Sequence, residues 1–354
     1  MGLSFKIIWL LIMTLSVGQA AAALDLSQID ALFADLAKPN CPGASVMIVH
    51  DGKVVLAKGY GLANIEQGIP CGTNTNFRLA SVTKQFTAAS IMLLHERKKL
   101  GLEEKLTDFF PEFPVYGKTI TVRHLLTHTS GLIDYEDIIP QGTTIPLLDR
   151  DVLRLLMQQD KTCFAPGSKF RYSNSGYSLL SLIVEVRSAM PFAQFLKQNI
   201  FGPLGMWNSL AYEQGFSIVP NRAYGYSAEA NGFVRTDQSL TSSVLGDGGV
   251  YSSVTDLYKW DQALYGSKLL KQDSLDLIFT PGPASDQPEN HYGFGWYIGT
   301  YGGMKEIWHS GNTRGFTTRI NRFPDKRFTV IILANRNEAK LAGIPHKIAD
   351  LLLK

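Results

Sequence analysis

The sequence predicts an α/β chain of the α+β type. One antiparallel sheet is built from N- and C-terminal strands flanked by helices, with a mostly helical lobe from the middle of the chain. Three observations carry this prediction: hairpin signatures stand near both termini, helical apolar spacing dominates between them, and a helical run closes the chain. At about 150 residues per domain, 354 residues supply two to three domains' worth of material and can bury a large core. The boundaries fall at about 24–75 and 245–354 for the sheet lobe and about 76–244 for the helical lobe. There is no internal repeat, low-complexity tract or linker.

Residues 1–23 read as a secretory signal peptide: Lys6, an apolar stretch from Ile7 to Met13 continuing through Leu15 to Val17, then Ala20 to Ala23. The apolar part is shorter than the roughly 20 residues a membrane span needs, so no stable span is expected after its removal. Export implies an oxidising compartment. Cys41, Cys71 and Cys163 allow one disulfide at most within the chain. Cys41 and Cys71 bracket the first hairpin and are the favoured pair, with three small buried thiols as the alternative.

In the mature chain, Leu26, Ile29, Leu32, Phe33 and Leu36 recur at helical spacing behind a cap at Asp25 or Ser27. Ala44 to His50 and Lys53 to Lys58 flank the turn pair Asp51-Gly52, a β-hairpin signature. The middle carries helical sets such as Phe86, Ile91 and Leu94, and Leu179, Leu182, Ile183 and Val186. Phe316 to Phe323 and Phe328 to Ala334 flank Pro324-Asp325 as a second hairpin, and Ala339 to Leu353 reads as a final helix.

Composition narrows function. Apolar residues make up 45% and charged residues 18%, with 32 Gly and 16 Pro, which excludes disorder as the main state. The formal net charge is +3 and no like-charge run exceeds Arg97 to Lys99, so the basic stripe of a nucleic-acid partner is missing. No Cys-x-x-Cys or His-Glu-x-x-His occurs, His124 and His128 lie four apart without an accompanying Glu, and no metal site is expected. Neither a phosphate-binding glycine loop nor the Gly-x-Ser-x-Gly elbow is present, and no cofactor is implied.

Three short motifs carry chemistry. Ser81-Val82-Thr83-Lys84 opens an apolar helical run. Residues three apart share a helix face, so the Lys84 ammonium can reach the Ser81 hydroxyl, a nucleophile beside a base. Tyr172-Ser173-Asn174 sits on a loop leading into a helix. Its tyrosine can exchange a proton with a serine and its asparagine can donate to and accept from a substrate amide. His309-Ser310-Gly311 falls at an exposed end or edge of a strand, where glycine admits a substrate close to the backbone and the Asn312 N–H can face an oxyanion. Taken alone, each motif reads first as structure: a solvated surface for the first, a capped turn for the second and an ordinary turn for the third.

Together, in this chain order, the motifs resemble the class C β-lactamase family, which includes serine D-peptidases and esterases. Further stretches match the family: Tyr60 to Ala63, His124 to Gly131, Pro203 to Met206, Gly248 to Ser252 and Tyr292 to Trp296. The resemblance runs from about Pro42 to Asn335, within one hydrolase domain of residues 24–354, and implies the β-lactamase/DD-peptidase fold. It also implies that Ser81 forms an acyl-enzyme, that Lys84 and Tyr172 share the proton transfers, and that Asn174 orients the acyl side chain. His309, Ser310 and Gly311 would bind substrate, and the N–H groups of Ser81 and Asn312 would form the oxyanion hole. Which of Lys84 and Tyr172 is the base stays open.

The leading expectation is a secreted or periplasmic serine hydrolase acting on a small-molecule or peptide substrate, D-amino-acid peptides or small esters. The alternatives are a true β-lactamase and a non-catalytic penicillin-binding envelope protein. His309 stands where most of the group carries lysine, a fixed cation for a drug carboxylate, with Arg314 as the substitute cation. The aromatic stretch of Tyr212, Tyr224, Tyr226, Phe233 and Tyr251 reads as packing or as a substrate wall.

Overall fold

The computed structural model describes residues 26–337 and 339–353; the signal-peptide stretch and Asp25 lie outside the described residues. Helix α1 (Leu26–Leu32) comes first, so Ser27 lies inside it rather than capping it. Strands β1 (Ala44–His50) and β2 (Lys53–Tyr60) follow as the expected hairpin. Asp51 and Gly52 take φ of 50° and 73°, the paired left-handed turn that matches strand twist.

From the far end come β3 (His291–Tyr292), β4 (Tyr297–Tyr301), β5 (Met304–Thr313), β6 (Phe316–Phe323) and β7 (Phe328–Ala334). They join β1 and β2 in one seven-stranded sheet, ordered β3-β4-β5-β6-β7-β1-β2, with every neighbouring pair antiparallel. This is the mixed architecture predicted, with the two terminal segments meeting along the β1–β7 seam. The closing helix, α6 (Ile344–Leu352), is shorter than its apolar pattern: Gly343 precedes it and Pro345 occupies its first turn, a residue that starts helices better than it continues them.

The sheet is buried on both faces, which is why β1 and β7 read as continuous apolar runs rather than alternating ones. Val46, Ile48, Val330 and Ile332 pack under the terminal helices with Ile29, Phe33, Ile344 and Ile348. Met47, Val49, Ile331 and Leu333 face the other way, into the core shared with the helical middle. That core centres on α2 (Lys84–Glu96), buried from Lys84 through Leu94, and α3 (Asn174–Ser188). The short α4 (Leu245–Gly248) packs against both, and α5 (Val254–Ala263) lies on β1 and β7. Among the described residues no single helix is long and apolar enough to cross a membrane.

All three cysteines are free. Cys71 points into the main core, Cys41 is half-buried and Cys163 is exposed, so neither the Cys41–Cys71 bridge nor three buried thiols describes them.

Candidate active site

The site forms where α2, α3, α4 and β5 converge. Ser81 lies on a 3-10 turn, Ala80–Thr83, that feeds directly into α2. The residue before it, Ala80, holds φ at +49°, a left-handed conformation costly for any side chain with a Cβ, so the chain turns sharply at the nucleophile. One turn on, Lys84 is fully buried and its Nζ donates to Ser81 Oγ at 3.0 Å. The same Nζ donates to Asn174 Oδ1 at 2.8 Å and to the Asp247 backbone oxygen at 3.0 Å. An ammonium has three hydrogens, and all three are placed.

Asn174 is the first residue of α3, as the loop-into-helix reading required, and its N–H donates to Asp134 Oδ2 at 2.7 Å. Tyr172 precedes it, its ring stacked on His128 with centroids 4.2 Å apart and with the Lys84 ammonium 4.9 Å from the ring centre. Its hydroxyl is shut away from solvent and has no hydrogen-bond partner of good geometry among the described residues.

Burial dominates the electrostatics. It pulls the Lys84 ammonium below the ordinary lysine range, against the opposing pull of Asp247, Asp134 and Glu136. It pushes the Tyr172 phenol well above its ordinary value, with the nearby Ser81 hydroxyl working in the other direction. Tyr172 is therefore a protonated donor at neutral pH, and Lys84 is the group that can shed its proton more cheaply.

β5 supplies the third motif. Its pairing with β4 ends at Trp308, so from His309 to Thr313 the strand is bonded only to β6 and its other edge is open, as expected. The His309 side chain is not exposed: the residue is 1% accessible. Its Nδ1 lies 2.7 Å from the Ser310 carbonyl oxygen, which can only accept, and its Nε2 lies 2.9 Å from the Tyr292 hydroxyl. Both nitrogens are thus engaged, and burial holds the ring's pKa down at about 3. Gly311 lies against the nucleophile turn. A Cβ there would fall 2.2 Å from the Leu79 oxygen and 3.0 Å from Ala80 Cβ, so only glycine permits the approach.

Ser81, Asn174 and Asn312 line one small cavity of about 50 Å³ with Glu136, Asp247 and Arg78. Tyr172 instead faces a separate groove of about 700 Å³, between residues 168–172 and 283–286. Ser310 lines another cavity of about 410 Å³ on the side of Ala339 to Gly343, which Asn312 also borders. The serine, lysine and asparagine are thus in direct contact, Tyr172 is beside them, and His309 and Ser310 turn away from the cavity at Ser81.

Other expectations are corrected. His124 caps the short helix Val122–Leu126, whereas His128 has left it with φ of 56°, so the two do not share a helix face. His128 accepts from the Ser173 N–H at 3.1 Å and packs behind the Tyr172 ring. Arg314 is exposed on the β5–β6 turn, outside the Ser81 cavity. Tyr212, Tyr224 and Tyr251 pack around the Arg222 guanidinium rather than forming a wall at Ser81. Sequence reasoning missed Asp247, Glu136 and Arg78; the only local signal was one carboxylate inside Gly246-Asp247-Gly248-Gly249.

The profile of the family described as Beta-lactamase matches residues 29–353. The chain belongs to the beta-lactamase family. It is a serine hydrolase of that family, and its sheet-plus-helices architecture is the family's fold. Penicillin-binding protein 4* of Bacillus subtilis (strain 168) is 33% identical over 325 residues, covering 88% of this chain and 72% of that protein. The octameric penicillin-binding protein homologue from Pyrococcus abyssi superposes with a TM-score of 0.83 at 28% identity, covering 93% of this chain and 78% of that one. D-amino acid amidase from Ochrobactrum anthropi SV3 shares the fold, with a TM-score of 0.80 at 24% identity over 93% of this chain and 98% of that one.

Proposed function

We propose that the protein is an exported beta-lactamase-family hydrolase that cleaves amide or ester bonds behind a small polar acyl group, as in D-amino-acid peptides or small esters. The observation that carries this reading is the Lys84 Nζ to Ser81 Oγ contact of 3.0 Å, with Asn174 held on the same nitrogen. Export rests on the composition of residues 1–23.

Neutral Lys84 takes the Ser81 proton as the hydroxyl oxygen attacks the substrate carbonyl. The negative charge that develops on the carbonyl oxygen is met by the N–H groups of Ser81 and Asn312, each worth about 3 kcal/mol in such a role. Tyr172 gives its proton to the leaving nitrogen or oxygen and regains one from Lys84, so the acyl-enzyme forms with no net change in protons. Water then repeats the sequence in reverse roles. The roughly 50 Å³ cavity that Ser81 and Asn174 line favours a small acyl group.

The neutral His309 argues against a site tuned for an anionic drug. Penicillin binding, the property named in the Bacillus subtilis relative, is compatible with this reading as slow acylation of Ser81. A fluorophosphonate should add its mass to the peptide containing Ser81 and to no peptide of Ser81→Ala. The purified protein should turn over a short-chain aryl ester or a D-Ala-D-Ala peptide faster than a chromogenic cephalosporin. Labelling of a different serine, or cephalosporin as the best substrate, would overturn the proposal.

A further inference from the structure

Asp247 ties the nucleophile's lysine to the opposite wall of the site. It sits in α4, 6% exposed, and borders the Ser81 cavity. Its backbone oxygen accepts from Lys84 Nζ at 3.0 Å while its Oδ2 accepts from the Tyr135 hydroxyl at 2.9 Å. Tyr135 is itself fixed: its N–H donates to Ser175 Oγ at 2.8 Å, and Ser175 directly follows Asn174. With the Lys84–Asn174 bond, these contacts close a ring through Lys84, Asn174, Ser175, Tyr135 and Asp247.

We infer that Asp247 is a positioning residue for acyl transfer: its carboxylate, clamped by Tyr135, holds the proton on Lys84 between turnovers and so sets the pH below which Ser81 is not activated. The inference rests on the proposed role of Lys84 as the proton acceptor. The step itself is one proton passing from Ser81 Oγ to a neutral Lys84 Nζ as the oxygen bonds to carbon.

Other charges face the same pair. Asp134 and Glu136 approach Lys84 from the 134–138 segment, but two backbone N–H groups occupy Asp134, and Glu136 lies at the mouth with its carboxyl 3.5 Å from Asn174 Nδ2 and its pKa raised by partial burial. Asp149 faces Asp247 from the helix Asp149–Met157, its carboxylate spent on the N–H groups of Leu245 and Gly246 and on Ser181. His128 and His309 are held neutral by burial, and Tyr172 and Tyr177 are held as phenols. Arg78 borders the cavity with its guanidinium donating to Gln238 Oε1 and the Ser242 carbonyl. Asp247 is the anion with the greatest hold on Lys84, and it resists ionisation chiefly because it is buried, with the Asp149 and Glu136 carboxylates pushing the same way.

The test is the pH dependence of fluorophosphonate adduct formation at Ser81, which needs no natural substrate. Asp247→Asn keeps the shape and the acceptor for Tyr135 but removes the charge. Its acid limb should move down by about one pH unit. Tyr135→Phe removes the donor that favours the carboxylate, and should move the limb the same way by less. If Asp247→Asn does not fold, Tyr135→Phe alone decides. Acid limbs unmoved in the folded variants, whatever the plateau rate, would overturn the inference and leave Asp247 a merely structural residue. A wild-type protein that never labels at Ser81 would instead remove the proposed function itself.

Discussion

Tyr292 donates its hydroxyl hydrogen to His309 Nε2 across 2.9 Å, and together with the Nδ1–H to Ser310 contact this fixes the imidazole as neutral, with no nitrogen left for a substrate. The ring is a spacer between Tyr292 and the open edge of β5, not a replacement cation. His309→Lys should therefore lower thermal stability and ester hydrolysis without creating cephalosporin turnover, because it buries an ammonium beside a phenol that has lost its acceptor. A rise in cephalosporin hydrolysis in His309→Lys would show that the position does reach substrate.

The buried neutral histidines give stability a pH dependence with a defined sign. His309 and His128 both have pKa values depressed by burial, whereas unfolded histidine titrates near about 6.5. The unfolded chain therefore binds protons that the folded chain refuses as pH falls below about 6.5, and stability drops by up to about 1.4 kcal/mol per pH unit for each ring. Their contribution is fully present above that pH. Urea midpoints between pH 7 and pH 5 check this, and His309→Asn should flatten the slope; an unchanged slope would mean that the folded ring titrates normally.

Lys84→Ala and Tyr172→Phe should each slow acylation by about a hundredfold, and the double variant should lose far less than the product of the two. Stopped-flow acylation of an aryl ester measures all three. Full additivity would mean that the two groups do not handle one proton.

Gly311→Ala forces a Cβ to within 2.2 Å of the Leu79 oxygen, beside the turn that carries Ser81. Backbone has to move, at about 1–3 kcal/mol, and the displaced β5 edge carries Asn312 with it. Acylation should fall at least about tenfold while circular dichroism stays native. Wild-type acylation in this variant would detach β5 from the oxyanion site.

Arg322 and Asp261 form a buried pair at 2.6 Å that fastens α5 to the sheet, with Thr329 Oγ1 donating to the same carboxylate oxygen at 2.9 Å. Asp261→Ala should cost about 3–5 kcal/mol by leaving a guanidinium unpaired in the core. The fraction still folded should label at Ser81 at the wild-type rate. A loss below about 1 kcal/mol in thermal unfolding would contradict the burial assigned to this pair.

What was legible in the chain was local. Asp51-Gly52 announces its turn because two successive left-handed residues need such a pair, and Ser81 with Lys84 announces its contact because three residues of helix bring them together. What was hidden depends on contacts across long stretches of chain. Asp247 lies 163 residues from Lys84, and no spacing rule links them. His309 looked exposed because a short His-Ser-Gly run gives no sign of Tyr292 covering it from β3. The final helix starts later than its apolar spacing, which runs on through Leu341, because Gly343 and Pro345 delay the helical start.

The left-handed Ala80 has a consequence for laboratory evolution. A residue with a Cβ at φ of +49° withholds about 1 kcal/mol or more from folding, and glycine would return it. Selection for heat tolerance alone should therefore find Ala80→Gly early, since one substitution relaxes the kink. The same change loosens the turn that aims Ser81 and removes the methyl against which Gly311 is packed. Selected lineages should then diverge: those screened only for survival at temperature accumulate glycine at this position, and those screened for turnover retain alanine.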